Sequence, residues 1–198
     1  MPDDATPRKA AARFVPLAVF VAGMWVIEFF DLIVRDGALD AYGILPRSLD
    51  GLDGVLWAPW LHAGLGHLAS NTAPLLLLGA LVAMRGPGRW LFVTGFVIIA
   101  GGLGTWFFAR PSIHIGASIV VFGYITYLVA VGFYERRLRS MLIGLAVLIV
   151  YGGTLLSGVL AVQSRVSWEG HLFGALAGLV AAWLAGARRT RAITDTVT

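Results

Sequence analysis

Six apolar runs of 18 to 24 residues, at 14–34, 61–84, 90–108, 117–134, 141–161 and 168–187, dominate this chain and leave little freedom in what it can become. Each is close to the ~20 residues with which a helix crosses a hydrocarbon layer of about 30 Å. Hydrocarbon accepts exposed backbone only where its hydrogen bonds close within the segment, so the expectation is six helices. Hydrophobic residues make up 58% and charged residues 13% of the chain, and mean hydropathy is +0.81. Soluble domains sit near 45–50% and about 25%, which excludes that class. With 198 residues, six spans leave no room for a separate soluble domain. The predicted organisation is a tail at 1–13, a membrane domain at 14–187 and a tail at 188–198. The first run is read as an uncleaved span, since it is too long for a signal peptide and lacks a small-residue cleavage site.

Net charge of +4 and a pI of 10.0 would suggest nucleic acid in a soluble protein. Here the basic residues stand at the ends of apolar runs, where they act as topology signals and meet anionic lipid head groups. Arg8, Lys9 and Arg13 precede the first run, and Arg85 and Arg89 join the second to the third. Arg136, Arg137 and Arg139 join the fourth to the fifth, and Arg188, Arg189 and Arg191 follow the sixth. These lie on one side, which the positive-inside rule makes cytoplasmic, with both termini there. Arg35, Arg47, Arg110 and Arg165 remain for the outer loops. The expected location is the plasma (cell inner) membrane, as a multi-pass protein. Zero cysteines exclude disulfides, thiol catalysis and cysteine metal sites. Residues 35–60, rich in Gly and Pro and carrying Trp57 and Trp60, suit an interfacial loop between spans one and two.

Polar groups in hydrocarbon are costly, so their presence there points to function. Ser118 lies 17 residues from Glu135, and His171 lies 17 residues from Arg188, each about 25 Å of helix from the inner side. His67 precedes Arg85 by 18 residues, so the three share a depth to within one residue rise. Asn71 follows His67 at i+4 on the same helix face. A serine hydroxyl is a poor nucleophile until a neighbouring base takes its proton, and His171 is the candidate base. Gly170, Gly174 and Gly178 make a smooth ridge for close approach of span six. Gly116 precedes the serine at a helix start, where free N–H groups and the dipole favour negative charge. The Ser118 amide with the side chains of His67 and Asn71 makes a candidate oxyanion site. Glu169, two residues from His171, faces elsewhere, so a Ser-His dyad is expected rather than a triad.

At these residues the chain resembles the rhomboid family of intramembrane serine proteases. His62, His67 and Asn71 match its H-x4-H-x3-N pattern, Gly116 and Ser118 its G-x-S, and His171, Gly174 and Gly178 its H-x2-G-x3-G. The resemblance implies a six-helix rhomboid-like bundle with a cavity open to the outer side, a Ser118–His171 dyad and an oxyanion site from His67, Asn71 and the Ser118 amide. It further implies cleavage of transmembrane protein substrates within or near their spans, with no metal, nucleotide or other cofactor and no nucleic-acid partner. Phe122 falls where an aromatic ring supports the catalytic histidine. Two departures stand out: Ile119 replaces the glycine that usually follows the serine, and Asp53 and Gly54 stand about where a Trp-Arg pair would align.

Other readings compete. A lone serine in a membrane helix ordinarily bonds its own backbone, His171 can be a packing histidine, and His67 and Asn71 can be interhelical glue. His62 reads as interfacial or supporting, His114 as a loop or water contact, and Glu28 and Asp31 as bonds to the interfacial loop. An inactive rhomboid-like protein that binds transmembrane clients is the alternative function. A zinc site from His62, His67 and His171 is disfavoured, since no HExxH is present and a five-residue spacing would turn the first two ~140° apart on a helix. No inverted repeat of a transporter is visible.

Overall fold

The computed structural model describes residues 11–160 and 166–195, with side chains through 186. Of the topology signals, Arg8, Lys9 and Arg165 lie outside the described residues, and the side chains of Arg188, Arg189 and Arg191 are outside the described ones. Six helices are long and apolar enough to cross a membrane: α1 Val15–Arg35, α2 Leu65–Ala83, α3 Pro87–Phe108, α4 Ser118–Glu135, α5 Leu138–Leu160 and α6, which runs on from Trp168–Gly186 to Asp195. The expected all-α, six-helix class therefore stands. Three helix starts differ from the apolar pattern by three residues or more, one of them α5, which begins at Leu138 rather than 141. Residues 61–64 form a turn rather than the start of α2, because Gly64 takes φ +92 before the helix begins. Helix α3 starts three residues early, at Pro87, whose fixed φ suits a first turn.

Helix α4 is the hub. Two-thirds of its span is enclosed, against 11% for α5, whose face carries exposed Leu142, Leu145, Ile149 and Leu156. Helix α6 closes on α4 through glycines. A Cβ on Gly174 would run into the carbonyl of Ile119, and one on Gly178 into the carbonyl of Gly123 and Thr126 Oγ1. Absent side chains bring the two backbones together, as small residues do between membrane helices. Thr126 Oγ1 then donates across the seam to the Ala175 carbonyl at 2.7 Å. At the other end of α4, Arg85 bonds Glu135 at 2.7 Å and Ser140 at 3.0 Å, tying α2, α4 and α5 together.

Helix α1 buries a stripe of Leu17, Phe20, Met24, Glu28 and Asp31. Its Phe20 ring meets Trp60 at 4.6 Å, and Trp25 Nε1 donates to Thr72 of α2 at 3.1 Å. The loop between α1 and α2 is pinned to the far side of the bundle. Ile44 and His114 exchange backbone hydrogen bonds of 3.0 and 2.9 Å, and Arg47 donates to the Ala109 carbonyl at 2.7 Å. Trp106 Nε1 reaches the Ser48 carbonyl at 2.8 Å. Arg47 and Trp106 thus anchor a loop in which Asp53 and Gly54 stand in place of a Trp-Arg pair.

Candidate active site

The α4 helix begins at Ser118, and the turn before it is shaped by its neighbours. Gly116 has φ +110, and a Cβ there would lie 2.7–2.8 Å from the His67 ring. Only glycine fits such a position without strain. The Gly116 N–H donates to the Ala58 carbonyl at 2.8 Å, and the Ala117 N–H to His62 Nε2 at 3.3 Å. The amides of Ser118 and Ile119, at the open end of the helix, have no acceptor among the described residues. These are the free donors of a helix N-terminus, where the dipole favours negative charge.

Ser118, His171, His67 and Asn71 all line one cavity of about 800 Å³, which runs between α2, α5 and the outer loops. Polar Ser70, Thr154 and Ser157 share its wall. Pro74 in α2 lacks an N–H, so its bond to the Ser70 carbonyl is missing on that wall.

Ring tautomers follow from partners. His171 Nδ1 is 3.0 Å from the Gly158 carbonyl, which can only accept, so Nδ1 carries the proton and Nε2 keeps its lone pair. Phe122 stacks on the His171 ring at 4.0 Å and 5°. His67 Nδ1 accepts the Ala63 N–H at 3.3 Å, which places its proton on Nε2, beside Gly116. Asn71 spends one amide hydrogen on the His67 carbonyl at 2.9 Å and has a second. Ser118 Oγ makes no hydrogen bond among the described residues, and none joins it to His171. Glu169 pairs with Arg110, accepting its backbone N–H at 3.3 Å, and makes no hydrogen bond to the His171 ring.

His62 is buried, 1% exposed. Because 61–64 is a turn, the helical-angle argument does not apply, and the His62 and His67 rings meet at 5.1 Å. No group of three His, Cys, Asp or Glu able to hold a metal occurs among the described residues. His62 Nδ1 donates to the Trp60 carbonyl at 3.3 Å and Nε2 accepts from Ala117, so both nitrogens are engaged in the neutral ring. Burial, and next the neighbouring His67, pull its pKa down to about 4.

That shift has a pH consequence. A released His62 ring titrates near 6.5, so between 6.5 and 4 the unfolded chain binds a proton that the folded one refuses. The stability of this turn is complete above 6.5 and falls by about 3 kcal/mol as pH drops towards 4. Wild type should therefore lose thermal midpoint between pH 7 and 4.5 more steeply than His62→Gln, which keeps an acceptor and does not titrate. Parallel midpoints would refute the assignment.

His114, read from sequence as a loop contact, is buried and holds Ser167 Oγ at 2.7 Å, joining the loop before α4 to the start of α6. Burial lowers its pKa. Ile119 lies beneath the serine, its side chain in the hollow left by Gly101 and its backbone against Gly174. The strap 58–62 holds both amides before Ser118, and of it only His62 could be read from the sequence, as a supporting residue. Its signal was His62 beside the Gly- and Pro-broken stretch.

Six apolar helices enclosing a cavity lined by Ser118, His67, Asn71 and His171 define a multi-pass membrane protein. Residues 52–188 match the Rhomboid domain family. The chain is 44% identical to an uncharacterized protein of Mycobacterium tuberculosis over 89% of its own length and 78% of that protein. It is 42% identical to an uncharacterized protein of Mycobacterium leprae over 91% and 75%, and 30% identical to the rhomboid protease GluP of Bacillus subtilis over 83% and 33%. The chain belongs to the rhomboid family.

Proposed function

We propose that this chain is an intramembrane serine endopeptidase acting on transmembrane protein substrates through Ser118 and His171. The observation that carries the reading is the pairing, on one cavity, of an unbonded Ser118 hydroxyl with an imidazole whose proton is held on the far nitrogen by Gly158. Ser118 Oγ attacks the scissile carbonyl carbon while its proton passes to His171 Nε2. The resulting oxyanion takes hydrogen bonds from the Ser118 amide, His67 Nε2–H and Asn71 Nδ2–H. His171 then gives its proton to the leaving amine; water, deprotonated by the same nitrogen, attacks the acyl carbon, and that proton passes to Ser118 Oγ as its bond to the acyl group breaks. The missing Ser118–His171 hydrogen bond belongs to a resting site, in which catalytic hydrogen bonds tighten only when substrate binds. Family membership and the relation to GluP support the reading. So do Phe122, Gly116, Gly174 and Gly178 in the supporting positions.

Plasma membrane location with both termini cytoplasmic accompanies this proposal, on the strength of the basic clusters. One observation favours a second reading, a client-binding protein that does not cut: Ile119 stands where the family carries glycine. Two free amides beside Ser118 weigh against it, since a binder has no use for them.

Detergent-solubilised protein treated with a fluorophosphonate probe decides between them. Modification mapped by mass spectrometry to Ser118, and lost in Ser118→Ala, is the expected result, together with cleavage of a generic transmembrane substrate. A folded wild type that neither labels nor cuts would overturn the protease reading, and Ile119→Gly then tests whether isoleucine silences the site.

A further inference from the structure

The first turn of α4 carries Ser118 and both free amides, yet little within the turn holds it in place. Ala117 supplies no side-chain cap. Its carbonyl accepts the Val120 and Val121 N–H groups at 2.9 and 3.1 Å, and on these bonds the turn closes. Helix starts of this kind fray, because their leading N–H groups lack partners within the helix. On the side before the serine, the strap 58–62 holds the Gly116 and Ala117 amides. On the side after it, the next side chain is shut in between α3 and α6: Ile119 is buried.

Two glycines make the slot that receives it. A Cβ on Gly101 of α3 would lie 3.2 Å from Ile119 Cδ1 and 3.3 Å from the Gly174 backbone, while a Cβ on Gly174 of α6 would run into the Ile119 carbonyl. The far methyl of Ile119 therefore occupies the space that Gly101 leaves open, and the Ile119 backbone lies against Gly174. Helix α3 widens at this level, in the turn Val97–Gly101, and widened turns of this kind recur at functional sites. Isoleucine does in the slot what glycine cannot. Branched at Cβ, it keeps essentially one χ1 rotamer in a helix, so seating Cδ1 fixes how the first turn is rotated about the α4 axis. That rotation decides where Ser118 Oγ and the amides of Ser118 and Ile119 point. Glycine at 119 would leave the slot without partner atoms and loosen the backbone of the turn.

We propose that Ile119 is a positioning residue for Ser118: its side chain, seated between Gly101 and Gly174, locks the rotation of the first turn of α4 and with it the hydroxyl and amides of the site. The proposal rests on the protease reading and deepens it, since the isoleucine that departs from the usual glycine becomes part of the machinery rather than a sign of silence. It also gives α3 a share in the reaction, although none of the α3 residues lines the cavity of about 800 Å³.

The test shortens the side chain in steps and follows fluorophosphonate modification of Ser118 per folded molecule. Ile119→Val loses only the methyl seated at Gly101 and should stay within about three-fold of wild type, whereas Ile119→Gly should be about 30-fold slower, in the range that a displacement near 1 Å costs. For a transmembrane substrate kcat should fall in the same order with KM unchanged. Leu128→Ala, which opens a void in the later half of the same helix, should lose thermal midpoint without slowing modification. Ile119→Ala replaces the glycine variant if the latter is not recovered folded. A short side chain at 119 that reacts as fast as wild type, or faster, overturns the proposal.

A double-mutant cycle reads the slot itself. Gly101→Ala sets a methyl against both Ile119 Cδ1 and Gly174. The Gly174 contact is the same in either background, so any difference between backgrounds belongs to the isoleucine. Gly101→Ala should slow modification about ten-fold in the wild-type chain and less than about three-fold in Ile119→Val; equal effects overturn the proposal. A further readout is independent of activity. Hydrogen exchange at the Val121 amide of ¹⁵N-labelled protein in micelles should quicken in Ile119→Gly and not in Leu128→Ala, because that amide helps to close the turn on Ala117. If wild-type Ser118 resists the probe, the protease reading fails on its own account. The Val121 exchange rate then decides whether Ile119 holds this turn, and exchange unchanged in Ile119→Gly overturns the proposal.

Discussion

Substituting His171 by alanine is expected to slow modification of Ser118 by the fluorophosphonate probe roughly ten-thousand-fold, the loss seen when a serine nucleophile is deprived of its base. A serine hydroxyl gives up its proton far above neutral pH, so the reaction depends on an imidazole with a free lone pair aimed at it. His171 has one because its other nitrogen is bound to the Gly158 carbonyl and its ring lies flat on Phe122. The loss should exceed anything that the change in thermal midpoint explains, because the ring lines the cavity wall as well as stacking on Phe122. Time courses of probe labelling for wild type and variant measure it directly. Labelling at the wild-type rate would move the base elsewhere, and His67 and His114 are the other imidazoles on the cavity wall.

Gly178→Val is expected to cut activity at least a hundred-fold although it lies two helical turns from His171. Any side chain there meets the Gly123 carbonyl, which is backbone of the neighbouring helix and cannot turn aside. Helices α4 and α6 must separate, and the Thr126 bond to the Ala175 carbonyl goes with them. Since Ser118 begins one of these helices and His171 stands in the first turn of the other, their distance is set at this seam. A drop in thermal midpoint accompanies the loss. Gly153→Val is the matched control, because nothing lies within 4 Å of a Cβ at that position in α5. Activity retained in Gly178→Val, with a normal midpoint, would show that close glycine packing does not set the site.

The six spans, and the meeting of Ser118, His67, Asn71 and His171 on one cavity, could be read from the chain because each rests on a short-range rule. Apolar length fixes a span, and serine and histidine at equal depth are a matter of counting residues. What escaped has a different physical basis. In a membrane helix both the lipid face and the packed face are apolar, so hydropathy does not say that Leu17, Met24 and Glu28 look inward. That direction is decided by contacts with Trp60 and with Gly79 of α2, both distant in sequence. The 61–64 turn looked helical because Leu61 and Ala63 are apolar, while the decisive feature is a left-handed Gly64. How deeply His62 is enclosed by the protein could not be read for the same reason. Helix α3 holds a widened turn at Val97–Gly101 that no residue pattern announces; it arises where Gly101 and Gly102 meet α6 and Val55.

The hydrogen bond from His171 to Gly158 places the readiness of the base in the keeping of α5, the least enclosed helix of the bundle. A sideways excursion of its outer turn frees Nδ1, and the imidazole can then exchange its proton between nitrogens. A ring carrying that proton on Nε2 has nothing with which to accept one from serine. In the proposed protease, a segment that pushes α5 aside meets an idle serine, and hydrolysis waits until the helix has come back. The proposed base is in this way interlocked with α5 through one carbonyl oxygen.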